Sequence, residues 1–371
     1  MNILFIVTSC LELAMGMLEM CKYEFPAKRV ILWGFFFIYV FTALRNKYSR
    51  NEKMVFCVLM LLGGLLYIHS GINTGIKAPV YIFALKEMDI KKLFRCMVIT
   101  MLIMFGSIFI LAIFFDFGTV CFYDVRKSRG FGGLRICYGF SNPNMFQIAF
   151  YGALSYMLFA FEDRMNWKKW AGIMAVYMGV SFFTNSLTGM LVGAITGIGV
   201  FVVSKVRNKY LPEILMATFC CMVAFFLVVS FLAAMDVEKG VLLNTINDFI
   251  SGRMNQLKLY TNEEIYTLPY MENWKLFSSR SHKNFYDMGY IQIFYYYGVV
   301  VACCYLGFVI YAVNQARKKR NSFGIVLMIG LCMYLFMEAR YFSNYLTRDF
   351  LLMISAGVMW GKNEERISMG I

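Results

Sequence analysis

The sequence predicts an all-α, polytopic transmembrane bundle, and three observations lead there. Of 371 residues, 60% are hydrophobic and only 16% charged, where a soluble chain carries about a quarter charged residues. Apolar runs near bilayer length recur from end to end, and a segment in hydrocarbon must pair every backbone N–H and C=O internally, which a helix does. The 37 Phe and 24 Tyr suit lipid-facing and interfacial positions.

The whole chain, 1–371, reads as one integral membrane domain with about twelve spans. Their expected positions are 2–18, 30–44, 54–70, 78–85, 97–115, 145–161, 170–183, 188–204, 214–234, 289–313, 322–338 and 347–360. The first, apolar from the start with no basic leader or small-residue cleavage site, is expected to be a retained span. The fourth is too short to cross alone and reads as tilted, broken or re-entrant around Pro79.

Charge sets the orientation. Arg45, Lys47, Arg50 and Lys53, then Lys86, Lys91, Lys92 and Arg95, then Arg164, Lys168 and Lys169 fall in short loops on one side. Lys205, Arg207, Lys209, Arg317 to Arg320, Lys362 and Arg366 join them. The excess of basic residues makes this side cytoplasmic and places both termini inside. The net charge of +14 is largely this topological bias, so no nucleic-acid partner is expected.

The remaining motifs are sparse. GxxxxGK[ST], GxGxxG after a strand, HExxH, GxSxG and DxD are all missing from the sequence, so nothing points to a nucleotide cofactor, and neither a CxxC nor a Cys/His cluster suggests a metal. Most of the 11 cysteines lie within spans and read as small apolar side chains. Cys121 and Cys137 share one outside loop, where a disulfide and two free thiols are both open.

Two long segments lie outside, a first extracytoplasmic loop at 116–144 and a large one at 235–288. Chemistry is sought there, because polar chain retained in a membrane protein concentrates function. The first loop carries Arg135 ahead of Asn142-Pro143-Asn144 at the mouth of the sixth span. Asn142 reads as an N-cap with Pro143 at the first helical position, and Arg135 beside that helix start suits an anion such as phosphate. Thr184 to Gly189, with Asn185, is a tight turn at the same surface.

In the large loop, Ile246, Phe249, Ile250, Met254 and Leu257 have helical spacing, as expected for a segment lying on the membrane. Arg253 borders that stripe. It either snorkels to lipid phosphates or forms a second phosphate clamp. Arg280, His282 and Asp287 close the loop, and either His282 or Asp287 could accept a proton from a hydroxyl, although Asp287 also fits a helix N-cap. Glu338, Arg340, Arg348 and Asp349 make a third outside patch whose charges could simply pair.

On these motifs the chain resembles the bacterial Wzy-type O-antigen and capsular polysaccharide polymerases, which group with the O-antigen ligases. The resemblance runs through Arg135, Gly139 to Asn144, the Thr184–Gly189 turn, Ser251-Gly252-Arg253, and Asp287 to Tyr290 with Tyr297-Gly298. The chain departs from the family at Met288, where many Gram-positive-type members have Asn, and at Leu187, where Arg often follows Asn-Ser. His282 and Asn284 are separated by Lys283, where the ligase branch has an adjacent His-Asn pair.

The resemblance implies a GT-C-like membrane glycosyltransferase, independent of metal and nucleotide. It would join undecaprenyl-diphosphate-linked oligosaccharides at the outer face of the bacterial cytoplasmic membrane, with a possible chain-length-regulating copolymerase as partner. Arg135 and Arg253 match the family's diphosphate contacts, with Asp287 or His282 as base. Asn142, Asn144, Asn185, Arg280 and Arg340 are the expected substrate-binding residues. An O-antigen ligase and, from another class, a lipid-linked oligosaccharide flippase are the alternatives.

Overall fold

The computed structural model describes residues 2–123, 133–206, 208–234, 240, 244–247, 253–254, 275–277, 287–339 and 345–361. Among these, α-helix dominates. The helices are α1 (Asn2–Glu19), α2 (Lys28–Arg45), α3 (Arg50–Ser70), α4 (Thr74–Ala84), α5 (Ile90–Phe114), α6 (Pro143–Ala160), α7 (Trp167–Phe183), α8 (Leu187–Lys205) and α9 (Leu211–Ala234). There follow α10 (Gly289–Gln292), α11 (Val299–Lys318), α12 (Ser322–Met337) and α13 (Phe350–Trp360). Six of the described helices, α1, α3, α5, α8, α9 and α11, are long and apolar enough to cross a membrane. The chain is an all-α, membrane-embedded protein.

Several helices start before the apolar run that announces them. Helix α3 begins at Arg50 behind a capping box, in which Ser49 Oγ accepts from Glu52 N and Glu52 accepts from Ser49 N. Helix α5 begins at Ile90, with Asp89 accepting from Lys92 N at 2.9 Å. Caps satisfy the unpaired N–H groups of a first turn whatever its hydropathy, so a helix can run past its apolar run into polar surroundings.

Two expected spans are not continuous crossings: the fourth is short, as its sequence predicts, and the tenth is interrupted. In place of the fourth there is α4, 11 residues with Pro79 inside it, running into a 3₁₀ turn at Leu85–Glu87. At 1.5 Å per residue it is roughly 16 Å long, about half of a hydrocarbon core. The expected continuous span 289–313 is interrupted: α10 passes into a π-helical turn at Ile293–Tyr297, and Gly298 then breaks the helix at φ 91°. A Cβ there would lie 2.7 Å from Leu276 O, so only glycine fits. The carbonyls of Lys275 and Leu276 accept from Val299 N and Val300 N, supplying partners for the start of α11.

The chain divides into two compact units. The first holds 1–46, 81–208 and 345–371. There α5 packs on α1 and α6, α7 pairs with α8, and α6 also meets α13. The Phe94 ring stacks on Tyr156 with centroids 4.9 Å apart, and Tyr156 Oη donates to Thr347 O at 2.7 Å. The second holds 47–80 and 209–344. Its α9 packs on α10, α11 and α12, with Phe226 stacked on Phe336 at 4.4 Å.

The segment between α5 and α6 in the first unit contains a short hairpin that the sequence did not announce. Strand β1 (Cys121–Tyr123) pairs antiparallel with β2 (Leu134–Ile136), and Phe122 lies opposite Arg135. The ladder continues through Cys137 N to Val120 O and Gly139 N to Thr119 O. At its base Gly118 and Gly139 both have positive φ, and a Cβ on Gly118 would fall 1.9 Å from Gly139 O. That close approach needs Gly118 to lack a side chain, and a Cβ on Gly139 would fall 2.7 Å from Ile108 Cγ2.

Candidate functional site

Arg135 is the centre of the polar cluster in the first unit. Side chains alternate across a strand, and here Leu134 faces outward while Arg135 and Cys137 face inward. Arg135 is only 5% exposed. Its Nε donates to Thr184 O at 3.0 Å and its Nη2 to Asn144 Oδ1 at 2.9 Å. One guanidinium thus joins the hairpin, the first turn of α6 and the turn between α7 and α8. Asn142 caps α6, accepting from Met145 N at 2.9 Å, with Pro143 next.

A second layer lies under that arginine. Gln147 Nε2 donates to Tyr177 Oη at 2.8 Å and Ser181 Oγ at 2.9 Å, and its Oε1 accepts from Thr184 Oγ1 at 3.1 Å. Tyr177 Oη donates onward to Gly189 O at 2.8 Å. Asn185 takes a left-handed conformation at φ 49° and is half-buried in the turn. So three predicted residues, Arg135, Asn144 and Asn142, meet at one helix start, and Asn185 is next in sequence to Arg135's acceptor.

The register settles how the two loop cysteines stand. Cys121 lies opposite Ile136 on the outward face and is exposed, whereas Cys137 is buried on the inward face. Both are free thiols. Burial pushes the Cys137 thiol up to about 12, against a smaller downward pull from Arg135.

Arg253 belongs to the second unit, and it does not snorkel. It is 7% exposed, and its Nη2 donates to an oxygen of Glu338, itself 4% exposed. Its neighbour Met254 is buried too, with N donating to Asn247 Oδ1 at 2.9 Å. The described parts of the expected surface helix, 246–247 and 253–254, therefore include buried residues where a lipid-surface segment was expected. Burial disfavours the charged guanidinium, but Glu338, then Asp287 and Tyr334, more than offset it, and the pKa of Arg253 is raised. Its Nη1 is buried and has no hydrogen-bond partner among the described residues. A buried charged donor left unsatisfied costs on the order of 1–3 kcal/mol or more.

Asp287 is half-buried just before α10, near enough to act electrostatically on Arg253. Arg280, His282 and Arg340 lie outside the described residues. The charges expected to form a third outside patch spread over several partners. Glu338 holds Arg253, Arg348 Nη1 donates to Gly16 O at 3.1 Å, and Asp349 caps α13 through Leu352 N at 3.0 Å.

Sequence reasoning missed two buried charges. Glu12, in the apolar α1, accepts from Tyr39 Oη at 2.8 Å and Leu346 N at 3.1 Å. Lys77 is buried in the first turn of α4. A lone charge within an apolar run is signal enough to have found Glu12. Lys77 stood outside the expected span because that span was drawn from Ala78.

No family model, curated protein or solved structure matches this chain.

Proposed function

We propose that the protein is a membrane glycosyltransferase that polymerises undecaprenyl-diphosphate-linked oligosaccharide repeat units. In this reading it is a GT-C-like bundle of about twelve spans. It sits in the bacterial cytoplasmic membrane with both termini inside and its two long loops outside. A sugar hydroxyl of one repeat attacks the anomeric carbon of another. The new C–O bond forms as the bond to diphosphate breaks, the lipid diphosphate leaves with the electron pair, and Asp287 or His282 takes the hydroxyl proton. Arg135, in the first unit, and Arg253, in the second, are in this reading the cationic donors for diphosphate, each taken by itself.

The observation that carries the reading is the state of the two loop arginines. Each is buried and held by named partners, where a topological or lipid-facing arginine would extend into water or headgroups. Preorganised cationic donors are what a diphosphate leaving group requires. The test is reconstitution in liposomes with lipid-linked repeat units. Polymer ladders from wild type and their loss in Arg135→Ala and Arg253→Ala support the reading, and normal ladders from both variants would remove the arginines from the chemistry.

Two observations favour a second reading, a lipid-linked oligosaccharide flippase. Glu12 is buried within an apolar helix, and α4 is short with an internal proline, both features of transporter cores. In a deletion strain, single repeats accumulating on the inner leaflet would support the flippase, and accumulation on the outer leaflet the polymerase.

A further inference from the structure

The ion pair between Arg253 and Glu338 spans 85 residues of sequence and ties the large outside loop to the end of α12. Both ends are fixed by their own backbone. Glu338 is the C-cap of α12, its N–H donating to Tyr334 O at 2.9 Å. On the other side Met254 N is held by Asn247 Oδ1. A guanidinium is planar, so holding one terminal nitrogen fixes the direction of the other. Here Nη2 is held and Nη1 is the buried donor with no partner among the described residues.

We infer that Glu338 is a positioning residue. It anchors Nη2 of Arg253 and thereby reserves Nη1 for an anionic oxygen of a lipid-linked diphosphate. The identity of that ligand rests on the polymerase reading; the division of labour between the two nitrogens rests on the pair itself. A purely stabilising role fits less well, because a buried ion pair is seldom better for stability than apolar residues of similar volume. Glu338 has two opposed effects on an anion at Nη1. Its hydrogen bond orients the donor, and its negative charge weakens the attraction. Asp287, the other carboxylate acting on Arg253, adds to the second effect only.

This opposition gives substitutions of different sign. Glu338→Gln keeps an oxygen that accepts from Nη2 and removes the charge, so orientation survives and repulsion falls. Glu338→Ala loses both. Glu338→Asp keeps the charge and withdraws the acceptor by one methylene.

The experiment measures the Kd of undecaprenyl diphosphate for purified full-length protein in nanodiscs, with undecaprenol as the phosphate-free control, and checks folding by thermal melting. Glu338→Ala and Glu338→Asp are expected to weaken binding about tenfold, and Glu338→Gln to bind as tightly as wild type or tighter. Arg253→Ala combined with Glu338→Ala should bind no worse than Arg253→Ala alone, because Glu338 acts through that arginine. Wild-type affinity in folded Glu338→Ala or in Glu338→Asp would overturn the inference, and so would Glu338→Gln weakened as much as Glu338→Ala. If wild type binds undecaprenyl diphosphate with this pattern yet polymerises nothing, the polymerase reading fails and the positioning role stands. If wild type does not bind it, both fail.

Discussion

Arg135 and Asn144 are joined across 2.9 Å, Nη2 to Oδ1, so a residue of the β1–β2 hairpin grips the first turn of α6. The same guanidinium reaches Thr184 O. Removing it exposes the cost of those acceptors. Arg135→Ala is expected to destabilise the protein by about 2–4 kcal/mol, from one buried and one half-buried acceptor left without this donor. Asn144→Ala should cost less, and the double variant less than the sum, because the two share a bond. Melting of the four proteins in detergent measures the coupling, and strict additivity would contradict it.

The Arg253–Glu338 pair makes a prediction about stability apart from binding. Arg253→Ala takes the buried Glu338 carboxylate's cationic partner away and is expected to cost up to roughly 3–5 kcal/mol. Replacing both members, as Arg253→Met with Glu338→Leu, should recover much of that loss while leaving polymer synthesis abolished. Thermal melting and an in vivo polymer ladder, run on the same variants, separate the effects. Recovery of both together would make the pair merely structural.

The two cysteines of the hairpin should label very differently. Cys121 is exposed, and Cys137 is buried with its thiol held up to about 12. Maleimide at pH 8 is expected to modify Cys121 and spare Cys137 until the protein is denatured, with no mobility shift on reduction. The linkage has a definite sign. The folded thiol binds its proton more tightly than the unfolded one, so this contribution is complete below the ordinary value of 9.0 and is lost as pH rises toward about 12. Prompt labelling of Cys137 in the native protein would refute the inward register.

Glu12 should matter out of proportion to its place in an apolar helix. Glu12→Ala leaves Tyr39 Oη and Leu346 N without this acceptor, an expected loss of about 2–4 kcal/mol. Glu12→Gln keeps an acceptor oxygen and should lose less. Melting of the two variants decides it, and equal losses would mean that volume, rather than hydrogen bonding, holds that site.

Most helices were legible because a bilayer imposes one solution on an apolar run: the expected 188–204 is found as Leu187–Lys205, and 322–338 as Ser322–Met337. The helix start at Asn142-Pro143 was legible for a local reason too, since an N-cap bonds a residue three positions on. What escaped was non-local. The break at Gly298 depends on Leu276 crowding it, and Glu338 meets Arg253 from 85 positions away. A charge pattern read along the sequence carries no sign of which carboxylate faces which arginine. The hairpin was hidden because its strands are three residues each, too short for alternation to show.

Polymerisation itself is tested most directly by purified protein in liposomes supplied with undecaprenyl-diphosphate-linked repeat units, with products resolved by size. A ladder of lipid-linked polymer from wild type, absent from Arg135→Ala and Arg253→Ala at matched folded protein, is the expected result. Single repeats left unjoined by wild type, or an unchanged ladder from both variants, would contradict it.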